Sequence, residues 1–200
     1  GKELKLAAEV DASVSDFMTT ARLYCSGLNF TFNPHRMILN KVTDCYLTRE
    51  DGERIEIQDD QLYRVVTDLY TGQMLGSVME MSYGLLKIEP KDKDGNPIEN
   101  LEDQAIMEGD KELKAWDAIA RYMKSFDDTD GNGISNVPEY YEMTHGRKVV
   151  DESRNVIDLV KNPNKFSVMI VGIVLVLILI IILLVVLIRK LIKKRRRKRK

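Results

Sequence analysis

Residues 167–188 read SVMIVGIVLVLILIIILLVVLI, 22 consecutive positions without a charge and with one mild breaker, Gly172. A helix rises about 1.5 Å per residue, so about 20 apolar residues cross a hydrocarbon layer roughly 30 Å thick. A buried helix of a soluble domain shows a polar face at this length, and this run has none. Its place at the C-terminal end excludes a signal peptide. The segment reads as one transmembrane helix, and the remaining chain must fold beside a membrane.

The flanks orient that helix. Ten of the twelve residues after Ile188, RKLIKKRRRKRK, are Lys or Arg, with no acid. Ahead of the span the charges are mixed: Asp151, Glu152, Arg154, Asp158, Lys161 and Lys165. The positive-inside bias places the tail in the cytoplasm, against anionic headgroups, and residues 1 to about 165 outside. Basic runs also bind nucleic acid or act as nuclear signals, readings that fit poorly beside a spanning helix. Without the ten tail cations, residues 1–188 hold 20 basic and 31 acidic side chains, a charge of −11. So acidic an outer part does not suit nucleic acid.

About 165 outer residues are enough for one modest core. Cys25 and Cys45 are the only cysteines, so no disulfide framework supports it. An outer domain requires export, yet GKELKLAAEV is already helical in pattern at Gly1. The chain is therefore expected to be the C-terminal fragment of a longer protein.

Along residues 3–18, Leu4, Ala7, Val14 and Met18 share one helical face, with Leu6, Val10 and Phe17 beside it. Leu28, Phe30 and Phe32 alternate with Asn29, Thr31 and Asn33, the period of a half-buried strand. Asn33-Pro34-His35-Arg36 is a turn, and Met37 to Leu47 the returning strand of a hairpin. RVVTDLY (64–70) and Tyr83 to Ile88 are further strand candidates. The latter and a short piece near Ile98 flank an Asp94-Gly95 turn. Asp110 is placed to N-cap a helix whose Leu113, Trp116, Ile119, Ala120 and Met123 form an apolar stripe. Polar, turn-rich sequence begins at Asp127, and residues 139–165 read as a stalk. Helices mixed with local hairpins point to an α+β fold.

The sharpest local motif is DDTDGNGISN (127–136) with Glu139 following. Calcium takes six to eight oxygens, and alternate acidic or amide side chains in a tight loop supply them. Asp128, Asp130, Asn132 and Glu139 fall at relative positions 1, 3, 5 and 12, with Gly133 at 6, as in an EF-hand loop. Ile134 comes one place early and Pro138 replaces a helix start, so the loop looks more like the calcium loops of secreted bacterial proteins. The competing reading is a solvated acidic linker. Either way its role is structural. His35 and His145 lack the spacing that sets two ligands on one ion, and no GxSxG, P-loop or Cys-His signature occurs. The chain shows no catalytic apparatus.

GKELKLAAEV, then CSGLNFTFNP, VTDCYL and QLYRVVTDLYTG, in that order, resemble the C-terminal domain of bacterial 5′-nucleotidases, the UDP-sugar hydrolase and 2′,3′-cyclic-nucleotide phosphodiesterase group. In that family TGxEL opens a helix, SGLxYxYD makes a strand, and YxVATNxFLAxGGDGY crosses to the nucleotide pocket. The similarity covers roughly residues 1–126. It implies domains at 1–126 (substrate-binding), 127–166 (calcium-type loop and stalk), 167–188 (membrane helix) and 189–200 (tail). It also implies a missing N-terminal metallophosphoesterase domain, whose two metals activate water and polarise phosphate and are not held by this chain. The nucleotide would be shared between the two domains, with Tyr70 at the position of a base-stacking aromatic. Without the resemblance, Tyr70 reads as a core aromatic at a strand end. The family's GGDGY segment is replaced by Gly72 to Val78, which implies a differently shaped pocket loop. The expectation is thus the nucleobase-binding domain and membrane anchor of an exported 5′-nucleotidase-type hydrolase, inactive alone. The alternative is a non-catalytic surface module on a calcium-stiffened stalk that binds another macromolecule.

Overall fold

The computed structural model describes residues 1–14 and 22–197. Phe17 and Met18, expected on the first helix, lie outside the described residues, as do the last three residues of the tail.

The fold is α+β, built around helix α1 (Lys2–Val14). Small side chains let α1 pack on both flanks. Ala8 and Ala12 meet Phe30 of the sheet, with Phe32, Val42 and Cys45 around them. Ala7 and Val10 meet Leu39, Leu86, Ile88 and Phe166 on the other side. Three polar residues of α1 are buried too, and each is satisfied. The Glu9 carboxylate accepts the Val42 N–H at 2.8 Å and the Ser13 hydroxyl at 3.0 Å. Ser13 Oγ accepts the Leu39 N–H at 2.9 Å, and Asp11 accepts the Leu23 N–H at 2.6 Å. A buried carboxylate is tolerated only with such partners, so α1 both fills the core and pins residues 39–42.

The four-stranded sheet takes its strands in the spatial order 54–56, 42–48, 28–32 and 148–150. Strands β1 (Leu28–Phe32) and β2 (Val42–Thr48) form the expected antiparallel hairpin, joined by a nine-residue connection at 33–41. Its Asn33–Arg36 turn is present, with Arg36 N–H donating to the Asn33 carbonyl at 3.2 Å. Phe30 pairs with Cys45 and Thr31 with Asp44, and a bulge then sets Phe32 against Val42. The hairpin therefore centres between Met37 and Ile38, beyond the Asn33–Arg36 turn, and the returning strand starts at Val42 instead of Met37, because residues 37–41 loop over α1. β3 (Arg54–Glu56) pairs antiparallel with β2. β6 (Lys148–Val150) adds parallel to β1, with Thr31 opposite Val149. The stretch read as stalk thus supplies a strand to the main sheet.

Two strand expectations are corrected. RVVTDLY forms no strand: Val65 and Val66 are exposed with no strand beside them among the described residues, and Asp68 caps helix α2 (Leu69–Met81). Asp68 accepts the Thr71 N–H at 2.9 Å and the Thr71 hydroxyl at 2.7 Å, which turns the chain into the helix. Tyr83 to Ile88 also pairs with no strand. It turns through Gly84 at φ +80° and lays Leu86 and Ile88 over α1. The Asp-Gly turn is present: Gly95 has φ +87°, and Lys91 bridges Pro97 across it.

α2 packs on a 3-10 helix at Leu101–Gln104, where a side chain on Gly72 would come within 3.2 Å of Leu101 Cδ1. Asp110 is not a helix cap. It sits with Gly109 in the turn between β4 (Met107–Glu108) and β5 (Lys111–Glu112), and helix α3 starts later, at Ala115–Lys124. After the acidic loop come a 3-10 helix at Glu139–Glu142, β6, a short helix α4 (Val156–Val160) and α5 (Lys165–Arg197). α5 has 33 residues, about 50 Å at 1.5 Å per residue. It is one helix long and apolar enough to cross a membrane, with mean hydropathy 3.9 over its apolar window and none of that window buried.

Candidate functional site

Tyr70 lies in the first turn of α2, held there by the Asp68 cap, and is 60 % exposed. It is therefore not the strand-end core aromatic that the residues alone suggest. Among the described residues no aromatic ring or cation stacks on it. Gly72 to Val78, standing where the resemblance expects a glycine-rich loop, is helical and belongs to α2. The Thr71 hydroxyl and the Thr71 N–H hold the Asp68 carboxyl below its ordinary pKa, so this helix start keeps its cap at any neutral pH. A shallow groove of about 260 Å³ lies in the neighbouring segment, lined by Asp92, Pro97, Ile98, Glu99, Asn100 and Asp103 among others. Tyr70 does not line it. Three carboxylates in that lining make it a poor phosphate cradle and leave only acceptors and amides for a ligand's hydroxyl or amino groups.

The acidic loop is ordered by its own backbone. Asp128 accepts the N–H groups of Gly131 at 2.7 Å, Asn132 at 3.2 Å and Gly133 at 2.8 Å. Gly131 and Gly133 take φ +72° and +83°, a conformation that only glycine adopts cheaply. Donation from Gly133 first, and from Gly131 and Asn132, holds the Asp128 carboxyl below its ordinary value. Asp130 Oδ2 accepts Asn132 Nδ2 at 3.0 Å, and Asn132 Oδ1 accepts the Ile134 N–H at 2.8 Å. The loop closes where Asn136 N–H donates to the Asp127 carbonyl at 2.9 Å. Asp128, Asp130 and Asn132 are thereby brought together. Glu139 is not: it opens the 3-10 helix and makes no bond to the other three among the described residues. Among those residues no group of three or more His, Cys, Asp or Glu side chains is gathered as a metal would require.

An aromatic cluster buttresses the loop's ends. The Tyr122 and Phe126 ring centroids are 5.0 Å apart, Phe126 and Tyr141 5.5 Å, and Tyr140 stacks on His145 at 4.0 Å. Such pairs favour a fixed loop geometry with or without an ion. His145 is thus a packing partner, and His35 meets Glu152 at 3.2 Å. Neither joins a metal-ligating group.

The residues that sequence reasoning missed connect the domain to α5. Arg36, buried in the 33–41 connection, donates Nε to the Asn40 carbonyl and Nη2 to the Lys161 carbonyl, each at 2.7 Å, and Nη1 to the Asp158 carbonyl. Asn164 donates to the Leu39 carbonyl, and its N–H reaches Asn40 Oδ1 at 3.2 Å. Asn164 Oδ1 accepts the N–H groups of Phe166 and Ser167 at 3.1 Å. Phe166 is in the core cluster with Ala7 and Val10, and Ser167 is buried. The first turn of α5 is therefore part of the domain's interior. The only available sequence signal was Asn-Pro-Asn (162–164) just ahead of the apolar run, a turn signature that also serves as a helix cap.

No family model, no curated protein and no solved structure matches this chain.

Proposed function

We propose that the chain is the nucleobase-binding C-terminal domain and membrane anchor of an exported 5′-nucleotidase-type metallophosphoesterase. In this reading α5 crosses the cell membrane, the domain lies outside and the polybasic tail is cytoplasmic. The nucleotide is shared with an N-terminal domain that holds the catalytic metals. The observation that supports it is the exposure of Tyr70 on a capped helix start: a stacking platform must offer a ring face that no intramolecular partner occupies. Removing a base stack costs on the order of 1–3 kcal/mol, so Tyr70→Ala in the two-domain enzyme should raise KM for nucleotides roughly five- to 150-fold. Tyr70→Phe should keep most of the affinity, and a phosphate ester without a base should be hydrolysed as before. Equal losses on both substrates would reduce Tyr70 to a structural residue and remove the pocket assignment.

A second reading has its own observation. α3 exposes Trp116, Ile119 and Met123, and among the described residues no helix or sheet covers them. An unpartnered apolar stripe suits a non-catalytic surface module that binds another macromolecule. The sequence encoded upstream separates the two: DxH and GNHD metal-binding motifs there select the enzyme, and a secretion signal directly before Gly1 selects the module.

A further inference from the structure

A membrane-inserted α5 would hold the domain close to the lipid surface. Its uncharged run begins at Ser167, and Ser167 and Phe166 are buried in the domain. No free linker separates globule from span, so the face of the domain around the start of α5 has to meet the lipid headgroups. Two segments are fastened at that place. Arg36 clamps the 33–41 connection to the carbonyls of Asp158 and Lys161, and Asn164 clamps it to the helix start. α4 ends at Val160, five residues ahead of α5, a reach of at most about 17 Å even if fully extended.

Those two segments carry apolar side chains that are left uncovered among the described residues. Val156, Ile157 and Val160 of α4 are 72, 70 and 65 % exposed, and Ile38 at the tip of the connection is 50 % exposed. Arg154, Lys161 and Lys165 stand exposed beside them. The acids of the same stretch are engaged inside the domain, Glu152 with His35 at 3.2 Å and Asp158 with the Ser153 hydroxyl at 2.9 Å. Exposed apolar residues with Lys and Arg among them are what an interfacial element offers, its apolar side entering about 5–10 Å into the headgroup boundary and its cations meeting lipid phosphates.

We propose that α4 and the Met37–Ile38 tip form an apolar foot resting in the bilayer interface, so that the domain is docked on the lipid surface in a fixed pose. The foot complements the apolar run of α5 with shallow contacts on the same leaflet. The proposal rests on α5 being membrane-inserted.

The test uses the whole chain reconstituted in phosphatidylcholine–phosphatidylglycerol vesicles, with Trp116→Phe to remove the single native tryptophan. Ile157→Trp and, separately, Val160→Trp report the foot. Glu50→Trp is the control, because the β2–β3 turn lies at the end of the sheet opposite the 33–41 connection. The two foot reporters should emit to the blue of the control, and lipids brominated near the headgroup should quench them at least about twofold more strongly, as shallow burial requires. Carbonate-resistant pelleting is read in parallel. Pelleting with foot reporters that behave like Glu50→Trp overturns the foot and leaves the anchor standing. Loss of pelleting overturns the anchor and the foot with it. A blue shift without lipid quenching means a second protein copy covers the face, which also overturns the proposal.

Discussion

Lys148 Nζ lies 2.9 Å from Asp11 Oδ2 and 3.1 Å from Oδ1, joining the first helix to the last strand of the sheet. The Asp11 side chain is 4 % exposed and that of Lys148 31 %, so the pair is a buried carboxylate reached from the surface by a cation. Its ammonium also lies 5.7 Å from the centroids of the Phe30 and Tyr24 rings. Removing one partner of a buried pair costs more than the pair contributes, because a charge is left behind. Lys148→Met should therefore destabilise the domain, by about 1–3 kcal/mol given that one end is hydrated. Asp11→Asn combined with Lys148→Met should recover more than half of that loss. Thermal unfolding in detergent reads both, and a neutral Lys148→Met would mean that water already serves the carboxylate.

The two cysteines should behave as separate, slow thiols. Cys45 faces Phe30 across the hairpin, and Cys25 falls before the start of β1, so the register sets no cysteine opposite another. Burial pushes the Cys45 thiol up to about 11 and raises that of Cys25 as well, the latter opposed by the nearby Lys148 charge. At pH 8 a thiol near 11 is ionised in about one molecule in a thousand, against about one in four for an ordinary thiol. Alkylation of the native protein should spare Cys45, and mass spectrometry of unreduced protein should show no linked 25–45 peptide. The folded state keeps the proton that the unfolded chain releases, so this contribution to stability is full below about pH 8.5 and falls as pH rises towards 11.

The elements legible in the sequence were those with local signals. The apolar run at 167–188, the alternation at Leu28–Phe32, the Asn33–Arg36 turn and the small-residue helix α1 each carry their cause within a few residues. The misread segments were decided by partners far away. Val65-Val66 has strand propensity, but among the described residues it pairs with no strand, and the Asp68-to-Thr71 cap turns the chain into α2 instead. β6 is three residues long and gains its place only by parallel pairing with β1, more than a hundred positions earlier. Glu9 and Asp11 look like the solvent side of an amphipathic helix. They are buried because the 39–42 backbone and Lys148 arrive to satisfy them. Of the candidate site residues, Asp128, Asp130 and Asn132 come together because their spacing is local. The position of Glu139 depends on how Pro138 redirects the chain, which spacing alone does not encode.

The contrast between Asp128 and Glu139 makes the 127–136 loop testable part by part. Asp128 orders the loop through three backbone N–H groups, so Asp128→Ala should expose residues 127–136 to protease even in the presence of a chelator. Asp130 contributes mainly through Asn132, so Asp130→Ala should leave the ion-free loop nearly as resistant as before. If the loop takes calcium, with the 10⁻⁴–10⁻³ M affinity usual for extracellular modules, about 10 mM calcium should deepen protection of the parent protein and not of Asp130→Ala. Glu139→Gln then separates two forms of the site. Unchanged calcium protection means that the ion is held by the 128–132 segment and water, in keeping with the position of Glu139 on the 3-10 helix. Lost protection means that the 3-10 helix opens to bring its carboxylate in, and the Tyr140–His145 stack should then loosen with a calcium-dependent shift of the His145 ring resonances. Titration calorimetry without heat at about 10 mM calcium would leave a loop held by Asp128 alone, a solvated acidic turn that needs no ion.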